Sequence, residues 1–173
     1  MRPVLLELNG FASFRQLTTI DFTDSDFFAF VGPTGAGKST VVDAIVFALY
    51  GTAPRWGHSK AVAYALAPTV NRGTVRLVFD VGPARYVIAR EIRRSPAGVS
   101  QRSISLERFL DPQAGGHLDA DDDTEVVASD IKGVNAAIGD LLGLTLDDFC
   151  QCVVLPQGQF ASFLKATVKD RQE

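Results

Sequence analysis

The sequence predicts an α/β fold centred on a strand–loop–helix unit, with an antiparallel meander of strands beside it. Three observations carry that prediction. Phe27-Phe28-Ala29-Phe30-Val31 is a short, nearly all-apolar run that suits a strand buried on both faces. Gly32-Pro33-Thr34-Gly35-Ala36-Gly37-Lys38-Ser39 follows at once and fits G-x-x-x-x-G-K-[ST]. Three strand-like runs come later, at Thr74–Val81, Arg85–Arg93 and Arg102–Phe109, with turns supplied by Gly82-Pro83 and Ser95–Gly98.

The other elements follow in order. Val4–Leu8 reads as a first strand ending at the turn pair Asn9-Gly10, and Leu17–Phe22 alternates as a second. From Lys38 to Tyr50 the apolar positions Val41, Val42, Ile45, Val46, Ala48 and Leu49 give a largely buried helix, and Gly51 stops it. Pro54–Asn71 is a connection with a short helix expected around Ala61–Leu66. Gln113–Asp123 reads as an exposed loop, Ile131–Leu142 as a helix and Phe149–Leu155 as a strand. Phe160–Glu173 returns to helical spacing.

Composition narrows the class. With 173 residues the chain is long enough for one domain with a real core. A hydrophobic share of 46% and twelve phenylalanines exclude disorder. No apolar run reaches the ~18 residues of a membrane span. The expectation is a soluble cytoplasmic protein. Cys150 and Cys152 stand one residue apart, which is neither a disulfide framework nor a zinc spacing. His58 and His117 are isolated, so no nuclease metal centre is expected within the chain.

The net charge of −3 hides a split. Residues 72–108 hold eight arginines against three acids, a net of +5, while residues 109–150 hold ten acids against Lys132 alone, a net of −9. Arg85, Arg90, Arg93, Arg94, Arg102 and Arg108 are expected to crowd one lobe. Their counter-charge is either the acidic segment or the backbone of duplex DNA.

The glycine-rich motif has the residue types that phosphate chemistry needs. Small residues let consecutive backbone N–H groups curl around an anion, and the helix opening at Lys38 adds its partial positive end. Lys38 places a cation at the β and γ phosphates of ATP, and the Ser39 hydroxyl is the expected Mg²⁺ ligand. The cofactor-binding stretch is Gly32, Pro33, Thr34, Gly35, Ala36, Gly37, Lys38, Ser39 and Thr40. A complete site also needs an acid at the end of a second buried strand. Asp80 reads as part of the meander and Asp147 follows a helix, so neither qualifies. The chain carries half an active site.

Three stretches together resemble the N-terminal ATPase segment of SbcC, in the family of long-coiled-coil DNA-repair ATPases related to SMC proteins. They are Gly32–Thr40 running on through Val42-Asp43-Ala44-Ile45 and Ala48-Leu49-Tyr50-Gly51, then Leu155-Pro156-Gln157-Gly158-Gln159-Phe160-Ala161-Ser162-Phe163-Leu164, and last Lys165-Ala166 through Lys169-Asp170-Arg171. The resemblance implies the N-terminal half of an ABC-type P-loop ATPase head, with the antiparallel meander beside a mixed sheet and the start of a coiled-coil arm. Residues 1–164 would form the lobe and residues 165–173 the beginning of the arm.

It also implies a function: an ATP-hydrolysing head of a double-strand-break repair complex, whose ATP-driven closure gates DNA-end processing by a partner nuclease. Gln157 matches the glutamine-loop residue that reaches Mg²⁺ and the γ-phosphate. The implied partners are the C-terminal half of the same head, a second head, an SbcD-type metal-dependent nuclease and duplex DNA ends. No membrane is implied, and the implied location is cytoplasmic and nucleoid-associated. An SMC-type chromosome organiser and an ABC transporter ATPase are the alternatives. One departure stands out. Relatives often carry an arginine near the nucleotide after the first strand, where this sequence has Ala12 or Ser13, with Arg15 close by.

Overall fold

A computed structural model describes residues 1–23, 27–56, 61–113 and 123–154. Six strands, β1 (Arg2–Asn9), β2 (Thr18–Asp21), β3 (Arg72–Val81), β4 (Ala84–Ser95), β5 (Gly98–Phe109) and β6 (Thr124–Ala128), form one sheet in the order β2-β1-β3-β4-β5-β6. The helices are α1 (Lys38–Tyr50), α2 (Ala61–Ala65), α3 (Ile131–Leu142) and α4 (Leu146–Phe149).

Every pairing among the described strands is antiparallel. Among the described residues the meander β3-β4-β5 shares one sheet with the N-terminal strands. It continues β1, which bonds β2 along one edge and β3 along the other. Strand alternation sorts the side chains. Leu6, Leu8, Val75, Leu77, Phe79, Ile88 and Leu106 face the main core, and Val4, Leu5, Val78, Val87 and Phe109 form a smaller cluster. Against the core face lies α1, which is apolar nearly all round. It buries Val41, Ala44, Val46, Phe47, Ala48 and Leu49, as expected of a helix covered on several sides.

Two elements differ from the sequence reading. Phe27–Val31 is not a strand: Phe27 and Val31 are 97% and 93% exposed. An all-apolar strand needs neighbours to complete its ladder and layers on both faces, and no described strand runs beside this one. Only Phe28 and Phe30 find partners, in an aromatic group with the buried Phe22. Phe149–Leu155 is not a strand either. A capping box formed by Thr145 and Asp148 starts α4, and Cys150–Val154 continues as a π-helical turn. Leu155 lies outside the described residues, as do the helix expected from Phe160 and most of the Gln113–Asp123 loop. The sequence reading also passed over β6, whose Val126 and Val127 are both exposed and so lack the alternation that marks a strand.

The C-terminal end of α1 is held from the sheet by Arg90 of β4, which is only 2% exposed. Its Nε donates to the Ala48 carbonyl at 2.6 Å and its Nη2 to the Leu49 carbonyl at 2.8 Å. Nη1 donates to Gln101 Oε1 at 3.1 Å. No carboxylate among the described residues pairs with it, and burial pulls its pKa down to about 10. The helix end supplies the compensating partial negative charge. Gly51 is required beside it, because a Cβ there would meet Nη1 at 2.9 Å and the backbone sits at φ +74°. Arg90→Leu leaves two buried carbonyls without donors. The expected loss is about 2–4 kcal/mol of stability, measured by chemical denaturation followed through the fluorescence of Trp56.

Candidate nucleotide-binding site

The glycine-rich loop sits where chain direction reverses into α1. Gly35 and Gly37 hold φ +86° and +89°, in the left-handed region that other residues avoid. Gly37 is the residue from which α1 starts, with no side-chain cap and no acid in its first turn. The positive end of a thirteen-residue helix is thus left uncompensated and faces a loop exposed over Gly32–Ala36. Lys38 turns back over that loop: its Nζ donates to the Gly32 carbonyl at 2.6 Å and the Pro33 carbonyl at 2.8 Å. The ammonium is thereby fixed over the loop, with Ser39 and Thr40 next in the first turn and half-buried.

A second element packs on this loop. The turn Phe11–Phe14 closes on itself through paired backbone bonds, and Ala12 takes φ 45° within it. Ser13 Oγ lies 3.4 Å from Thr40 Oγ1. A Cβ at Gly37 would meet both Ser13 Oγ and Phe14 Cζ at 3.0 Å, so at φ +89° a larger residue is strained and must push these side chains aside. Sequence reasoning flagged position 13 only as the place of a missing arginine, because nothing in the spacing shows that the turn lands on the loop. It passed over the next contact altogether. Asp43 on α1 is 5% exposed and takes a forked pair from Arg55, whose Nε lies 3.1 and 2.9 Å from its two oxygens. That bond holds the Arg55 pKa above its ordinary value and pins the connection after α1.

Gln157, the other predicted catalytic and metal-binding residue, lies outside the described residues. The segment that leads toward it does not. Tyr50, the last residue of α1, donates its OH to the Leu144 carbonyl at 3.1 Å and packs its ring 5.4 Å from that of buried Phe149. Burial, with Cys150 and Asp148 nearby, pushes the Tyr50 phenol up to about 12. The folded protein keeps this proton between its ordinary pKa of ~10 and about 12, whereas the unfolded chain loses it. Stability is therefore expected to fall as pH rises through that window. Denaturation at several pH values should show Tyr50→Phe removing this part of the decline.

The two acids weighed as catalytic partners stay excluded. Asp80 sits in β3 and pairs with Arg85 at 2.7 Å, and Asp147 is an exposed first-turn residue of α4. The basic stretch is less free than its sequence suggests. Arg90 is buried under α1, and Arg85 is engaged by Asp80. Arg72 and Arg93 both pair with Glu91, which holds its carboxyl below the usual range, and Arg108 pairs with Glu125 of the acidic segment. Arg94 and Arg102 are exposed near the β4–β5 turn, beside Arg93, which is exposed as well although Glu91 pairs with it.

A nucleotide-dependent class is thus set by loop and helix, and the comparisons agree. Residues 5–173 match the family model described as AAA domain, and the chain belongs to that nucleotide-binding family. Its particular likeness is to SbcC. It is 39% identical over 177 residues to the SbcC protein of the Deinococcus radiodurans SbcCD nuclease, covering 100% of this chain and 18% of the relative. The SbcC protein of Bacillus subtilis is 32% identical over 176 residues, covering 99% and 15%. A "Probable DNA double-strand break repair Rad50 ATPase" of Aquifex aeolicus is 34% identical over 165 residues, covering 95% and 15%. The chain thus spans less than a fifth of the length of these relatives. The same fold occurs in a solved structure from "Structural biochemistry of ATP-driven dimerization and DNA stimulated activation of SMC ATPases". The TM-score is 0.68 at 20% identity, over 99% of this chain and 96% of that one. No helix among the described residues is long and apolar enough to cross a membrane.

Proposed function

We propose that this chain is the nucleotide-binding lobe of an ATPase head in a DNA double-strand-break repair complex. Residues 1–164 would be the lobe and residues 165–173 the start of a coiled-coil arm. The single observation that supports the reading best is the uncapped start of α1 at Gly37, with Lys38 fixed over the loop by the Gly32 and Pro33 carbonyls. Such a cradle suits the triphosphate of ATP: backbone amides and a helix end meet a compact polyanion, and the close packing of Ser13 and Phe14 holds the loop open to it.

Each residue then has a task. Backbone N–H groups of the loop, from Thr34 to Gly37, would surround phosphate oxygens, and Lys38 would neutralise charge at the β and γ phosphates. Ser39 and Gln157 are the side chains that would hold Mg²⁺, which supplies further neutralisation when bound with the nucleotide. The hydroxyl and the amide are both neutral oxygen donors, as this hard cation prefers beside phosphates. The exposed apolar run Phe27–Val31 supports a second lobe of the same head, which would cover it and bring the catalytic acid and signature motif. A second copy of the head would close over the nucleotide, and an SbcD-type nuclease would cut the DNA.

Lys38→Ala in the full-length protein is expected to lower ATP turnover by on the order of 10²–10³. A steady-state assay on the folded variant checks this, and turnover at the parental rate would refute the assignment.

For the DNA surface we infer the exposed arginines at the β4–β5 turn, now reduced to Arg93, Arg94 and Arg102. Arg93→Glu with Arg94→Glu is expected to weaken binding to duplex of any sequence and to flatten the slope of log affinity against log salt, by about 0.9 for each lost phosphate contact. Nucleotide binding should be unchanged, since the loop is a separate element. Fluorescence anisotropy at several salt concentrations checks the slope, and an equal slope moves the DNA surface elsewhere.

A further inference from the structure

We propose that Arg55 is a positioning residue of the nucleotide site: it holds and masks the Asp43 carboxylate, one helical turn behind Ser39, so that the site keeps a positive field. The proposal rests on the reading of the glycine-rich loop as a phosphate cradle. It adds a residue that lies outside the loop motif.

The problem that Arg55 solves is written into α1. Asp43 is the one acid of this helix, in which Lys38 is the one cation. Four positions separate Asp43 from Ser39, so the two share a helix face with Cβ atoms about 5–6 Å apart. Helical side chains lean toward the N-terminus, the end at which the loop lies. Left bare, the carboxylate would oppose the phosphates that loop and helix end attract. It would also be costly in itself, because Asp43 is 5% exposed and a buried charge needs a partner.

Arg55 meets both demands. Its Nε lies 3.1 and 2.9 Å from the two carboxylate oxygens, and its Nη2 donates to Oδ2 as well. A forked contact of this kind sets orientation along with distance. Among the described residues Arg55 is the one hydrogen-bond and ion-pair partner of Asp43. The arginine is held in turn by its neighbour. It lies in the single turn Pro54–Trp56, and the Trp56 ring packs against Phe11 and Phe47 with centroids 5.9 and 5.6 Å away. Phe47 follows Asp43 by one turn of α1, and Phe11 opens the turn that lies on the loop. The masking cation is thereby tied to the same two elements that support the loop.

The experiment measures binding of fluorescent ATP and ADP analogues, with Mg²⁺, to the full-length protein and to its Arg55→Gln, Asp43→Asn, double and Lys38→Ala variants. Denaturation curves first establish which of them fold. Arg55→Gln is expected to weaken ATP binding about five- to twentyfold, the scale of one unmasked charge facing a doubly charged Mg–ATP complex. The ADP complex carries one charge fewer, so its loss should be about two- to fivefold. Equal losses for both nucleotides overturn the proposal, since loosened packing does not scale with ligand charge. Asp43→Asn leaves the arginine uncompensated and should bind ATP about two- to fivefold more tightly. The double variant, with neither charge, should return to within about twofold of the parent. Weaker ATP binding by Asp43→Asn, or a double variant weakened beyond that range, overturns the proposal, and these two arms hold even where Arg55→Gln does not fold. Parental ATP binding by Lys38→Ala overturns the reading of the loop itself. A weakened Lys38→Ala beside an unchanged Arg55→Gln overturns the role of Arg55 alone.

Discussion

The buried guanidinium of Arg90 is the constraint on which the rest depends. Helix α1 begins at Gly37 without a side-chain cap, and it is held at its other end. Two carbonyls of α1 are satisfied by Arg90, and the glycine at position 51 leaves room for the side chain. Burying that cation is costly, as its lowered pKa shows. The helix end offsets part of the cost with its unpaired carbonyls and a partial negative charge. Sheet and helix are thereby locked together.

Gly32–Ala36 are exposed and make few contacts of their own. Their position is set by neighbours that are held firmly: the Phe11–Phe14 turn on one side, the lysine folded over the loop on the other, and α1 behind. The Phe11–Phe14 turn and α1 with its first residue Lys38 thus hold a segment rich in small residues, the kind of loop in which backbone amides are left accessible.

Charge is arranged just as locally. Glu91 takes two arginines, and Asp80 and Glu125 take one each. Most of the basic stretch is thus neutralised within the sheet, against neighbours on the same or adjacent strands. Arg94 and Arg102, outside these ion pairs, lie near the β4–β5 turn, far in sequence from the loop. The glycine-rich loop and the exposed arginines therefore belong to separate elements, and β4 carries both Arg90 and Arg93.

Local pattern alone determined a good deal. The glycines and lysine of the loop, the meander with its two turns, α1 with Gly51 after it, and α3 are all legible because each depends on spacing within one segment. Tertiary structure decided the rest. Whether Arg90 is a surface cation or a buried cap depends on α1 lying across β4, which no spacing records. The turn at Ser13 reaches Thr40 only because β1 and α1 pack together. Phe27–Val31 has the composition of a buried strand, yet a strand exists only when neighbours bond to it, and no described strand does. Tyr50 meets Leu144 across ninety-four residues. Side-chain chemistry and short-range periodicity are written in order along the chain, whereas burial and pairing are properties of two segments at once.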